Sequence, residues 1–326
     1  QSHMLKSKSS LFFIGLITGA LSAYIFIFNY INVIPERQAP SSGEYKTQSL
    51  VHDGISRTYD VFIPEGLRPG SPAFFVFHGS FGTSEVMRIA TGYDFEYLAN
   101  EKGFVLVYPQ GYEKFWNDCR ASADYEANLK KIDDVGFFKK MIESLEKDFS
   151  IDRTKVVATG ISNGGQMMYR LGYEAPESVS LLAPLVATIP VEENNDCVSS
   201  QKSVNIMIFN GTADKIAPYD GGLVSLFGNT SRGIVQSSDK TYEYWKNLDV
   251  RTEEKVFRLE ESDGDPNSSV IKKVSKGEKL VALYTLVNGG HIYASPNVEY
   301  SSYFNGNVRD INTAEEIYSV FESLDK

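Results

Sequence analysis

Short apolar runs and longer amphipathic stretches alternate along most of this chain. The runs at 59–64, 73–77 and 103–109 are nearly unbroken, with the length and the aromatic and β-branched content of strands covered on both faces. Between them, 85–102 reads as helical. Residues 135–149 form a second amphipathic helix, with Phe137, Phe138, Met141, Ile142 and Leu145 on one face. Further on, 155–159 reads as a short buried strand and 166–171 as a helix. Residues 181–189, 205–209 and 280–287 supply more strands, and 242–248 and 314–324 more helices. This alternation predicts an α/β fold with a mostly parallel central sheet and helices on both faces. No repeat of fixed period occurs, and 260–267 reads as a polar surface loop.

One apolar run departs from this pattern. Lys6 and Lys8 precede a stretch that carries no charged residue through Ile34, longer than the about 20 residues needed to span a bilayer. It reads as a signal peptide or a membrane anchor, in either case a hydrophobic helix ahead of the fold. Its length and the leucine at −3 of the Leu21-Ser22-Ala23 site favour the anchor. The lysines before it and Glu36 after it predict an exported domain, periplasmic or extracellular, with the membrane as a partner if the segment is retained. Gln1-Ser2-His3 ahead of Met4 resembles a cloning remnant. The sequence therefore divides into 1–3 as a remnant, 4–35 as signal or anchor, 36–44 as a polar linker, and 45–326 as one globular domain.

Composition narrows the function. With 42% hydrophobic residues in 326, one large core is within reach. A formal charge of −10 and the absence of a basic run argue against nucleic acid as a partner. Cys119 and Cys197 are the only cysteines and form no C-x-x-C, which disfavours a structural zinc site or a redox motif. Export would permit a disulfide between them; two buried thiols are the alternative.

Gly160-Ile161-Ser162-Asn163-Gly164 fits the G-x-S-x-G nucleophile elbow and lies between a strand run and a helix run. On such a turn the residues two before and two after the serine come close together, so glycines remove side chains that would collide. A Gly/Ser turn without chemistry is the competing reading. A serine hydroxyl also needs a base, and the base needs an orienting group. In the order that accompanies this elbow the serine comes first, the acid second and the histidine last. With His3 set aside, His52 and His78 precede Ser162 and only His291 follows it, directly after the apolar run at 280–287. The acid is expected at Asp214, in the loop after the strand at 205–209. Asp220 is the nearest rival, ahead of Asp239, Asp249, Asp263 and Asp265. For the oxyanion, the backbone N–H of Asn163 is one expected donor. The other is that of Ser80, with Phe81 as alternative, in Phe77-His78-Gly79-Ser80-Phe81-Gly82-Thr83. His78 then holds the loop. Phe81, Trp116 and Tyr293 are candidate substrate contacts, with core packing the alternative for Trp116.

These motifs, together with Tyr108-Pro109-Gln110-Gly111, Trp116-Asn117-Asp118-Cys119-Arg120, Asp133-Asp134-Val135-Gly136-Phe137, Pro218-Tyr219-Asp220-Gly221-Gly222 and Gly289-Gly290-His291, resemble the polyhydroxybutyrate depolymerase and feruloyl esterase group. The resemblance runs from about Tyr59 to the C-terminus. It implies an α/β-hydrolase fold and a serine carboxylesterase that uses no cofactor or metal, with Ser162, Asp214 and His291 as its triad. Its substrates would be feruloyl or acetyl esters, or hydroxyalkanoate-type and related polyester oligomers. A serine peptidase of the same fold and a catalytically silent, membrane-anchored binding protein are the alternatives. Asn210, where the group often has histidine, and Ile292-Tyr293, in place of Thr-Trp, leave the shape of the pocket open.

Overall fold

In the computed structural model, which describes residues 32–250 and 253–324, the unbroken apolar runs lie side by side in the middle of one ten-stranded sheet. In chain order the strands are β1 (Val33–Pro35), β2 (Glu44–His52), β3 (Ile55–Ile63), β4 (Ala73–Phe77), β5 (Val105–Pro109), β6 (Val156–Ile161) and β7 (Leu181–Leu185). They continue as β8 (Ile206–Gly211), β9 (Gly222–Leu223), β10 (Ile234–Val235), β11 (Glu253–Arg258), β12 (Ser269–Lys276), β13 (Leu280–Val287) and β14 (Val298–Tyr300). The α-helices among the described residues are α1 (Ser84–Ala90), α2 (Asp94–Lys102), α3 (Glu126–Leu129), α4 (Asp134–Phe149), α5 (Asn163–Glu174), α6 (Ser238–Lys246) and α7 (Thr313–Leu324).

Across the large sheet the order is β11-β12-β13-β8-β7-β6-β4-β5-β3-β2. Its six central strands, from β13 to β5, are parallel. Antiparallel strands extend it at both ends. Every residue of β4 to β8 is buried, as expected of a parallel sheet covered on both faces. Successive side chains point to opposite faces, so Phe74 and Val76 pack with residues of α1, α2 and α7, while Phe75 and Phe77 pack with α4, α5 and α6. The order and direction of these strands, with helices on both faces, are those of the α/β-hydrolase fold.

Two expected elements are cut short by contacts from elsewhere in the chain. The helix expected over 85–102 is two helices, because Gly92 and Tyr93 adopt φ of +58° and +59°. A Cβ on Gly92 would lie 2.5 Å from the Asn297 carbonyl oxygen, so the break lets a distant loop approach the backbone. The strand expected over 181–189 ends at Leu185, where Val186 turns the chain at φ +46°.

At the N-terminus, the hydrophobic segment lies outside the described residues up to 31, and no described helix is long and apolar enough to cross a membrane. Its last three positions, Val33–Pro35, form β1, paired antiparallel with β14. Residues 36–44, expected as a linker, lie against the body of the fold. Arg37 pairs with the buried Asp94 carboxylate and stacks over Tyr97, and the Asn100 side-chain amide donates to the Ser42 carbonyl at 3.0 Å. The folded body therefore starts about a dozen residues earlier than Tyr45.

Candidate active site

The local geometry of the elbow follows from its glycines. Ser162, between the end of β6 and the start of α5, has φ +57° and ψ −115°, a conformation that costs a serine on the order of 1–3 kcal/mol. A Cβ on Gly160 would lie 2.6 Å from the Gly164 carbonyl carbon, and one on Gly164 would lie 2.5 Å from the Phe77 carbonyl oxygen. Only glycine lets β6, α5 and the end of β4 meet this closely. The Ser162 N–H donates to the Leu185 carbonyl at 2.9 Å, which ties the turn to β7. Ser162 itself remains partly accessible in a cleft.

Asp214 and His291 arrive from two neighbouring parallel strands, β8 and β13. Their exit loops touch: a Cβ on Gly211 would lie 2.2 Å from the Gly289 carbonyl oxygen. Asp214 Oδ2 contacts His291 Nδ1 at 2.7 Å with both side chains buried. The other carboxylate oxygen accepts the backbone N–H groups of Ile216 and Ala217 at 2.8 and 2.9 Å. The carboxylate is thus fixed on both sides, and Nε2 is the ring nitrogen left for another partner. Asp220 is exposed. A hydroxyl that shares a cleft with an imidazole whose second nitrogen is held by a carboxylate is an arrangement suited to nucleophilic acyl transfer.

The loop after β4 closes the other side of the serine. A Cβ on Gly79 would lie 3.4 Å from the Ser162 Cβ, so this glycine carries the backbone against Ser162. Ser80 lines the same cleft, and its hydroxyl accepts from Arg232 at 3.3 Å. His78 anchors the loop. Its Nδ1 donates to the Gly79 carbonyl at 2.8 Å and its Nε2 accepts the Gly111 N–H at 2.9 Å, a pairing that requires the neutral ring. Burial lowers its pKa to about 4, against about 6.5 when unfolded.

Between those values the unfolded chain binds a proton that the folded one does not, so stability falls as pH drops from about 6.5 to 4, by roughly 3 kcal/mol in all. Urea midpoints measured at pH 7 and pH 4.5 should lie closer together in His78→Gln than in the wild type; an unchanged gap would assign the acid sensitivity to other groups.

The cleft holds about 140 Å³ and brings Ser162, His291, His78, Gly79 and Ser80 together with apolar side chains, among them Met87, Ile161, Leu226 and Phe304. A larger depression of about 320 Å³, between β11, β12 and α7, is lined by Lys255, Lys272 and Phe257 and contains no residue of this constellation. Two groups of three candidate metal ligands, His52 with Asp53 and Asp133, and Glu261 with Asp263 and Asp310, are accessible to solvent and do not line the cleft.

Trp116 and Tyr293, named from the sequence as substrate contacts, are not in the cleft. Trp116 is fully buried, edge-on to Phe77, with its indole N–H donating to the His78 carbonyl at 2.9 Å. Tyr293 is buried, and its hydroxyl donates to the Asp94 carboxylate at 3.0 Å. Both are supports, since a buried ring with its polar atom satisfied offers no surface to a ligand. Phe81 is exposed, at φ +62°, with its ring 4.8 Å from that of Phe115.

Nothing in the residue order signals the support beneath Asn163. Its side chain accepts the Trp116 backbone N–H at 2.8 Å and donates to the Trp116 backbone carbonyl at 3.1 Å and to Asp118 at 2.6 Å. Asp118 is buried and paired with Arg120 at 2.6 Å, and Tyr125 also donates to it. Burial pushes the Asp118 pKa up, but the Arg120 guanidinium and the donated hydrogen bonds outweigh it and hold the carboxyl below its usual range. Cys119, next in the chain, is joined to Cys197, closing a separation of 78 residues that includes the elbow.

No family model matches the chain. Among curated proteins it is similar to a putative esterase, NocK, of Nocardia uniformis subsp. tsuyamanensis, at 26% identity over 57% of this chain and 53% of that protein. It is similar to the bifunctional acetylxylan esterase/xylanase XynS20E of Neocallimastix patriciarum, at 25% over 51% of this chain and 22% of that protein. It also matches feruloyl esterase C of Emericella nidulans, at 21% over 64% of this chain and 74% of that protein. The matches thus span about half of the first of these relatives and about a fifth of the second. Among solved structures, a thermostable esterase aligns with a TM-score of 0.42 and 16% identity, over 63% of this chain and 51% of that one. A ferulic acid esterase aligns with a TM-score of 0.42 and 18% identity, over 53% and 80%. In sequence the chain resembles curated esterases and feruloyl esterases, and in architecture it has the α/β-hydrolase fold.

Proposed function

We propose that the chain is a serine carboxylesterase that works through an acyl-enzyme on Ser162. The observation that carries this reading is the 2.7 Å contact of His291 Nδ1 with the doubly anchored Asp214, in the cleft that also takes in Ser162. In this reading Nε2 of His291 takes the serine proton as Oγ attacks the ester carbonyl, and passes it to the departing alcohol. Asp214 holds the imidazole in the productive tautomer and stabilises its charged form. The backbone N–H groups of Asn163 and Ser80 receive the oxyanion, Asn163 lying at the N-terminus of α5, where negative charge is favoured. Water then releases the acid by the same steps in reverse. The names of the curated relatives support an ester of acetate or ferulate. An export-dependent setting fits the apolar N-terminal run and the Cys119–Cys197 bond.

The test is hydrolysis of methyl ferulate, acetylated xylan, hydroxybutyrate oligomers and a terephthalate diester, alongside labelling by a fluorophosphonate. Turnover of one or more esters, with label on Ser162, is the expected outcome. A chain that takes no label and cleaves none of the four would sink the proposal, and faster cleavage of a matched amide would make it a peptidase.

A further inference from the structure

One wall of the cleft comes from the first strand of the described chain, outside the ten-stranded sheet. Val33 lines it, although Val33 stands at the very start of the described chain, more than a hundred residues from the elbow. Its strand, β1, pairs with β14 in the register Val33 with Tyr300, Ile34 with Glu299 and Pro35 with Val298. Alternation along the strand sends Val33 toward the cleft and leaves Ile34 53% exposed. The strand is held from both ends. The Ser301 N–H donates to the Asn32 carbonyl at 3.0 Å and the Glu36 N–H to the Asn297 carbonyl at 2.8 Å. Beyond it, Arg37 Nε donates to the Gly92 carbonyl at 3.0 Å and its guanidinium pairs with Asp94. Across the strand pair, Tyr300 also lines the cleft, and its hydroxyl donates to the Ala90 carbonyl at 2.8 Å, joining this wall to α1.

The side chain therefore sits on a fixed strand and not on a loop free to move aside. We propose that Val33 is a wall of the acyl pocket and sets the length of acyl group that the enzyme accepts. The inference rests on the esterase reading of the same cleft. At about 140 Å³ the cleft lies well below the roughly 300–1,000 Å³ of sites that enclose a drug-sized ligand, so it holds the acyl part and leaves a bulky alcohol outside. In an apolar pocket a methylene more or less is worth about 1–3 kcal/mol, which is enough for one wall residue to decide chain length.

The experiment measures kcat/KM of the full chain on p-nitrophenyl acetate, butyrate and octanoate. Val33→Trp should lower the octanoate-to-acetate ratio by about tenfold or more, while Val33→Ala should raise it by several-fold. Ile34→Ser, on the outer face of the same strand, should keep the wild-type ratio. If Val33→Trp fails to fold, Val33→Ala alone still decides. A ratio unchanged in Val33→Ala, or shifted equally in Ile34→Ser, overturns the assignment. A wild type that hydrolyses none of the three esters overturns the esterase reading instead.

Discussion

Ser162→Ala is expected to lower kcat by about 10⁴- to 10⁶-fold on any ester that the wild type hydrolyses, with little change in KM. The size follows from how the three groups depend on one another. Without Oγ there is nothing for His291 to activate, and the well-held His291–Asp214 pair has no proton to take. A double variant with His291→Ala should lose little more, because residues that act as one unit are strongly non-additive. Small-ester kinetics with a purified, folded variant check both points. A Ser162→Ala protein within tenfold of wild type would show that the nucleophile lies elsewhere.

The largest expected effect on stability falls beside the site. Asp118→Ala should cost about 3–5 kcal/mol, because it leaves the Arg120 guanidinium buried without its counter-charge. Burial lowers the pKa of Arg120, but the Asp118 and Tyr125 contacts dominate and raise it. Arg232, also buried, lies near enough to Arg120 to add repulsion once the carboxylate has gone. The same change removes one of the acceptors of the Asn163 side-chain amide, so catalysis should weaken together with folding. Urea denaturation gives the stability directly. A loss below about 1 kcal/mol would mean that water enters and solvates the arginine.

How much of this could be read from the sequence depended on whether the cause was local. β4, β5, β6 and β8 were legible because strands covered on both faces must be apolar throughout, and the elbow because close backbone approach admits only glycine. Chain order singled out His291, and the loop after the strand at 205–209 pointed to Asp214 ahead of five other aspartates; these two are the residues the structure brings into contact. β11, by contrast, is exposed along its whole length and reads Glu-Glu-Lys-Val-Phe-Arg, so no periodicity betrays it. The break at Gly92 depends on Asn297, about two hundred residues away. Trp116 and Tyr293 could not be placed from the sequence, because their residue types fit a substrate surface and a packed core equally well, and only their buried partners, the His78 carbonyl and Asp94, put them in the core. Val33 was hidden most completely, since its apolar neighbours made it look like the end of a membrane segment.

The strand at Val33–Pro35 also decides where the chain may be shortened. A soluble form begun at Tyr45, the boundary that composition suggests, would lose the partner of β14, the guanidinium facing Asp94 and the carbonyl that caps Asn100, as well as one side of the cleft. Asp94 would then remain buried with its tyrosine, serine and asparagine donors but no cation. A shortened chain should begin no later than Asn32, because a cut after that residue begins to remove the strand that carries Val33 into the cleft.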